Sequence, residues 1–479
     1  MPEQTVAATH PFLCYAHTVE IHIDFGSIIT GKALKLIKRS PYGKLVVPQA
    51  QVLDINFLNR PVGSTGVAEF AQPCMRAFAA QLKLVVPKVK TVNASYCWVG
   101  QKSKNSVPSE LIGRFVRLMY FSPSNFRAAN FNSPRSCKLV PNFTSGITTF
   151  ETDWKEHYQV KARMAHLNAL TLVGLAISFG HTNDIRTLIN SHDDYIVVYP
   201  NLIHLDLLAK NTLPQLHKPA INKGAVPFPK LRRLNIDMEY PFADDVLFRG
   251  NCKTLQHLTI RPDIDTIDML NRYGIFTSTK YKRLKRVYIG KQTAAVDTPK
   301  AIVAQFVVRV SAHALVLIIE DNSYRDDFVL SVVQSKALDQ LQYLDVRNFD
   351  LTLCEIINML ASMPSLTHLV NNRVELGHQF DDMAVDELGD FMLMSYFPLS
   401  KNFRHWSCTS ATTGTAEEVA LCAVLLAIAC PRLPCIAVKA NHYDVFCERI
   451  HELVSTEPYA GFVELIEPLP KLYGSSRVD

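Results

Sequence analysis

Long apolar runs are missing from this chain. The longest, Val419 to Cys430, has twelve residues and stops at Pro431. A membrane-spanning helix needs about 20, so the run reads as a helix buried in protein, and no membrane is expected. Cysteine is sparse, 11 in 479 residues, odd in number and without a recurring short spacing, which argues against a disulfide framework. The first 25 residues lack a basic start followed by an apolar core, because His17, Glu20, His22 and Asp24 interrupt them. No secretory signal is read there, and the expected compartment is cytoplasmic or nuclear with reduced thiols. On that reading the sequons at Asn93 and Asn142 are chance matches. Excess charge of one sign is also lacking: 50 Lys and Arg against 44 acids leaves +6, too little to imply nucleic acid without a basic stripe. Neither a Gly-rich phosphate loop nor a Ser or Cys nucleophile motif is present, so no enzyme and no cofactor are expected. The nearest approach to metal spacing is Cys435-x6-His442-x4-Cys447-x3-His451. Its first gap is wide for a zinc pair, and core thiols fit those positions better.

What the chain does have is a recurring hexad: apolar, two variable, apolar, one variable, apolar. The clear copies are 202–207, 231–236, 255–260, 284–289 and 341–346, with weaker ones at 314–319, 366–371, 403–408 and 433–438. Upstream copies centre on Leu53, Val92 and Leu170, with a further one at Phe150 and a last one at Leu465. The fourth residues 205, 234, 258, 287, 317 and 344 are separated by 29, 24, 29, 30 and 27, the long end of the leucine-rich repeat range. Pro opens several units, at Pro200, Pro229, Pro364 and Pro431, where it cannot extend a preceding helix.

Within each hexad, strand alternation sends residues four and six to one side and residues three and five to the other. Helical stretches such as 328–337, 351–362 and 416–428 fit between strands. The expected fold is therefore an α/β leucine-rich repeat solenoid, a horseshoe with parallel strands on the concave face, helices on the convex face and roughly 12–14 irregular repeats. No unit buries its apolar face alone, so neighbours stabilise one another and the length need not divide into three domains. Residues 1–160 read as irregular repeats with inserted loops, the Ser- and Pro-bearing stretch 101–142 being extended. Residues 161–479 read as the main array, one continuous solenoid.

These hexads resemble the leucine-rich repeat superfamily, in particular the ribonuclease-inhibitor-like arrays of F-box/LRR proteins, over about Val19 to Leu465. That resemblance implies a non-enzymatic protein-recognition scaffold, specifically the substrate-receptor part of an F-box-type (SCF) ubiquitin ligase. A Skp1-type adaptor would be a partner only if an F-box is present. The repeat-like strand at Val19–Ile23 leaves no room for that module ahead of it in this sequence, so either the module is lacking or the start has been cut short, and Val107–Phe121 resembles its first helix only faintly. The family's Asn or Cys at position nine is replaced by Lys210, Glu239, Asp263 and Phe349, so the inner turn must be satisfied differently.

Residues three and five would line the concave wall and contact a protein partner. They include His204, Asp206, Arg233, Asn235, His257, Arg286, Tyr288, Tyr343, Asp345, His368 and His405. A column of His, Arg and Tyr suits an acidic or phosphorylated peptide, because Arg forms paired bonds to carboxylate and phosphate, and its imidazoles titrate near neutrality. Tolerated polar residues on an exposed face are the plainer alternative. Lys280, Lys282, Arg283, Lys285, Arg286 and Lys291 form a basic cluster interleaved with Tyr281 and Tyr288. RNA binding, with aromatic rings stacking bases, is the alternative function there, although a solvated charged loop is the commoner meaning of such a run. An acidic counterpart comprises Glu375, Asp381, Asp382, Asp386, Glu387 and Asp390.

Overall fold

The computed structural model describes residues 15–24, 46–59, 67–98, 125–129, 148–152, 165–166, 169–181, 188–189, 196–211, 226–239, 253–261, 281–291, 300–380, 383–409, 416–430, 433, 435–438 and 443–455. The expected repeat at Leu465, the faintly F-box-like segment 107–121, Lys280, His442, Asp381 and Asp382 lie outside the described residues. The chain forms two compact units, Met1–Met238 with Val246–Thr254, and Glu239–Asp245 with Leu255–Asp479.

The first unit carries strands β1 (Thr18–Asp24), β2 (Val52–Asn59), β3 (Thr91–Trp98), β4 (Asn125–Ala129), β5 (Thr149–Thr152), β6 (Gly174–His181), β7 (His204–Asn211) and β8 (Arg233–Glu239). Each pairs in parallel with the next in chain order. Helix α1 (Val67–Val85) joins β2 to β3. The second unit carries β9 (His257–Arg261), β10 (Arg286–Ile289), β11 (Val316–Ile319), β12 (Tyr343–Thr352), β13 (His368–Glu375), β14 (His405–Cys408) and β15 (Cys435–Val438), again parallel and in chain order. Its helices are α2 (Lys300–Val310), α3 (Arg325–Ser335), α4 (Leu353–Ser362), α5 (Val385–Tyr396), α6 (Ala416–Ala429) and α7 (Tyr443–Ser455). Parallel strands joined by crossovers, at spacings of 24 to 39 residues between paired positions, make this an α/β leucine-rich repeat solenoid fold.

Two details correct the expected repeats. The copy placed at Leu170 is 172–177: Leu172, Leu175 and Ile177 are buried, whereas Leu170 is 73% exposed. Strand β4 lies within the stretch expected to be extended loop, paired with both β3 and β5. Its sequence Asn-Phe-Arg-Ala-Ala carries one large apolar residue, too little for a hexad to register.

One hydrogen-bond pattern staples each hexad to the one before it. The backbone N–H groups of residues two and three both donate to the carbonyl of residue two in the preceding repeat. Examples are Arg232 and Arg233 to Ile203, Lys285 and Arg286 to Gln256, Gln342 and Tyr343 to Leu315, and Arg404 and His405 to Thr367, at 2.7 to 3.0 Å. Before each strand a turn closes as residue one donates to the carbonyl three places back, as in Leu202 to Tyr199, Leu231 to Phe228, Leu284 to Tyr281 and Leu366 to Met363. The recurring prolines sit second in that turn, where their fixed φ is already suitable.

Residues one, four and six form the core. Leu202, Leu205, Leu207, Leu231, Leu234, Ile236, Leu341, Leu344 and Val346 have no exposed surface, and each such side chain contributes roughly 2 kcal/mol by burial. The missing position-nine Asn is replaced in two ways. Phe349 is fully buried and meets Phe328 edge-on, ring centroids 5.9 Å apart. Asn371, at position six, takes over the polar role: it donates to the Arg373 carbonyl at 2.9 Å and accepts from the Trp406 indole N–H at 2.8 Å. Thr352 caps α4 through a reciprocal box with Glu355, satisfying two otherwise orphaned donors. The apolar run of α6 is buried from Val419 to Cys430 apart from half-buried Leu421. No helix among the described residues is long and apolar enough to cross a membrane.

Candidate functional site

The strand face opposite the core presents residues three, five and seven. In the second unit, residue three runs in register as His257, Arg286, Val316, Tyr343, His368 and His405. Residue five runs as Thr259, Tyr288, Ile318, Asp345, Val370 and Ser407. In the first unit, His204 pairs with Arg233, and Asp206 with Asn235. The expected columns are therefore present, on rungs about 4.8 Å apart.

The column ends in a ring stack. Tyr343 and His368 centroids lie 5.8 Å apart, and His368 and His405 lie 5.2 Å apart and nearly parallel. Thr367 Oγ1 donates to the Gln342 carbonyl at 2.7 Å and lies 2.8 Å from His368 Nδ1. A hydroxyl has one proton, so the imidazole must be the donor in the second contact. That tautomer leaves Nε2 of neutral His368 as an acceptor. Burial lowers the pKa of both histidines, and at His405 the neighbouring His368 lowers it further.

Not every predicted residue is available. Asp345 has no exposed surface. Arg347 covers it, with Nε 3.1 Å from Oδ1 and Nη2 2.5 Å from Oδ2, and its backbone N–H adds a bond of 3.2 Å. Asp345 thus belongs to the scaffold of the face and cannot meet a partner as expected. Tyr288 is half-buried, and burial together with a hydrogen bond to Glu320 holds its proton well above the ordinary phenol range. Arg261 lies against β10, where a Cβ on Gly290 would approach its Cγ to 2.9 Å; glycine leaves room for that arginine.

Arg261, Glu320 and Arg347 all occupy position seven, one place beyond the apolar hexad. Period two predicts that residue seven shares the outward side with three and five. That extension was the signal available in the sequence.

In the first unit, Asp206 and Asn235 each keep a buried side-chain oxygen without a hydrogen-bond partner. Burial raises the Asp206 pKa, although Arg233, His204 and a bond to Asn235 act against it. In the basic cluster, Lys282, Arg283, Lys285, Arg286 and Lys291 are exposed. Tyr281 is 4% exposed, so it cannot stack a base. It occupies the buried first place of the turn, like Tyr199, Phe228 and Met363.

A cleft of about 440 Å³ opens beyond the end of β11 and along the second half of β12, lined by Asn322, Arg325, Asn348, Asp350, Thr352 and Glu375 among others. Several of its polar groups are already engaged. Arg325 bonds Asp326, Glu355 and the Asp350 carbonyl, Asn348 donates to the Glu320 carbonyl, and Asp350 accepts from Asn372. Among the described residues, no three His, Cys, Asp or Glu side chains converge as metal ligands. Cys422 and Cys430 are buried, their thiols pushed up by desolvation, that of Cys430 to about 12, which makes them core residues.

No family model matches the chain, and no curated protein matches it. Among solved structures it is similar to the leucine-rich repeat-containing protein LegL7 from Legionella pneumophila, at 9% identity, over 91% of this chain and 96% of that one, with a TM-score of 0.28. The fold assignment rests on strand register and burial, independently of this loose likeness.

Proposed function

We propose that this chain is a non-enzymatic scaffold that recognises another protein across the outward strand face of its second unit, with an acidic or phosphorylated segment as its target. One observation carries the reading. Six strands, in register over positions three to five, present exposed or half-exposed His257, Arg286, Tyr343, His368 and His405 in one column, with Val316 between Arg286 and Tyr343, over a buried core. Rows of this kind on repeat proteins are extended binding surfaces. The more specific role, substrate receptor of an F-box-type ubiquitin ligase, draws on the family resemblance alone. Co-precipitation with a Skp1-type adaptor tests it, and recovery of none removes the ligase role without touching recognition. The reading places the protein in the cytoplasm or nucleus, where its thiols remain reduced.

Selection of a random 12-residue peptide library on the intact chain tests recognition. Selected peptides should bind about tenfold more weakly to the His368→Ala/His405→Ala variant. They should bind unchanged to Leu330→Asp/Met394→Asp, which alters exposed residues on α3 and α5. Peptides indifferent to the strand-face variant would sink the proposal. RNA binding draws on Lys282, Arg283, Lys285 and Arg286, but with Tyr281 buried and Tyr288 tied to Glu320 it has charge without stacking. It therefore ranks second.

A further inference from the structure

Acids and cations fare differently on the strand face of the second unit. At positions three, five and seven of β9 to β14 there are two carboxylates, and both are engaged: Asp345 by Arg347 and Glu320 by the Tyr288 hydroxyl. On β10 and its entering turn, Lys282, Arg283, Lys285 and Arg286 are exposed. Their side chains make no hydrogen bond or ion pair with any described residue. Among the described residues, the uncompensated side-chain charge is thus positive and gathers at the start of β10.

The next strand has the opposite character. Val316 and Ile318, at positions three and five of β11, are both apolar and half-exposed. On the other strands of β9 to β14, at least one of these two positions is polar. Val316 lies in register with Arg286, and Ile318 with Tyr288. A strand entered by cations, with Arg286 on its outward side, therefore adjoins an apolar rung about 4.8 Å away.

We propose that β10 and β11 form a seat for an extended acidic peptide. Its carboxylates lie on Arg286, Lys285, Arg283 and Lys282, and one apolar side chain lies on Val316 and Ile318. This deepens the recognition reading of the same face and rests on it. An extended chain advances about 3.3 Å per residue, so the apolar residue falls within two positions of an acid. Arginine supplies paired bonds to a carboxylate, and the exposed cations make association sensitive to salt.

The experiment uses the same 12-residue library on the intact chain. Selected peptides should carry Asp or Glu within two residues of a large apolar side chain. They should bind about tenfold more weakly to Lys285→Ala/Arg286→Ala, and similarly to Val316→Asp. All these positions lie outside the core, and circular dichroism confirms that the variants fold. Peptides lost on His368→Ala/His405→Ala but indifferent to Lys285→Ala/Arg286→Ala overturn the seat and leave the recognition face standing. Peptides indifferent to both, or no selected peptides at all, overturn both proposals. Displacement of the peptide by an oligouridylate at equal charge concentration overturns the seat in favour of RNA.

Discussion

Strands β7 and β12 carry an aspartate at the same place in the hexad, and the two meet different fates. Asp345 on β12 is fully buried yet satisfied, because Arg347 at position seven of the same strand folds back over it. Asp206 on β7 has Leu208 at position seven, which offers no donor. One Asp206 oxygen is left buried and unpaired, and its pKa rises through burial. The hexads are equivalent, and the cores beneath them are equally closed. What differs is one residue beyond the consensus, and it decides whether a carboxylate is fully paired or keeps a buried oxygen without a partner.

The largest effects should show that the cores are alike. Leu205→Ala and Leu344→Ala, both at fully buried fourth positions, should each cost about 3 kcal/mol in urea unfolding. A cost under about 1 kcal/mol at either site would mean that its strand is not closed by its neighbours. Next comes Arg347→Ala, which uncovers Asp345 and should cost about 2 kcal/mol. Adding Asp345→Asn should recover most of that loss, since no buried charge is then left without its partner. Failure to recover would place the Arg347 contribution in packing.

Asp206→Asn should be nearly neutral, within about 0.5 kcal/mol, and any change should be a gain at pH 7. The sign follows from its raised pKa: the folded state holds the proton more tightly, so stability falls as pH rises from the ordinary carboxylate range through the raised value. The gain should shrink on acidification, and a constant offset from pH 4 to 8 would contradict this. The smallest effect concerns the imidazole pair. Folding lowers both histidine pKa values, so the unfolded chain binds protons more tightly. Stability is then complete above about pH 6.5 and declines below it, toward the lowered folded values. Double replacement by Gln should flatten that decline, and a curve of unchanged slope would remove these histidines from the titration.

Much of the fold was legible in the sequence. The hexads at 202, 231, 255, 284 and 341 locate strands, and their internal period of two assigns core and face correctly. Helices expected at 328–337, 351–362 and 416–428 form at Arg325–Ser335, Leu353–Ser362 and Ala416–Ala429, displaced at their ends by three residues or fewer. Strand β4 was illegible, because pairing with β3 and β5 on both sides recruits a segment whose own pattern is weak. The candidate face was legible as a list of positions and less so as a list of available groups. Asp345 and Tyr288 face outward as expected, but residues at position seven engage them. Tyr281 was misplaced by reading the basic run alone, without aligning it to Tyr199 and Phe228.

The spacing of apolar residues along the chain determined which side chains enter the core, because strand alternation is local and needs no knowledge of neighbours. Only the tertiary structure decided which outward groups stay free. Whether Arg347 reaches Asp345, or Glu320 reaches Tyr288, depends on what the same strand and the adjoining rung present a few ångströms away. That neighbourhood exists only once the strands have stacked.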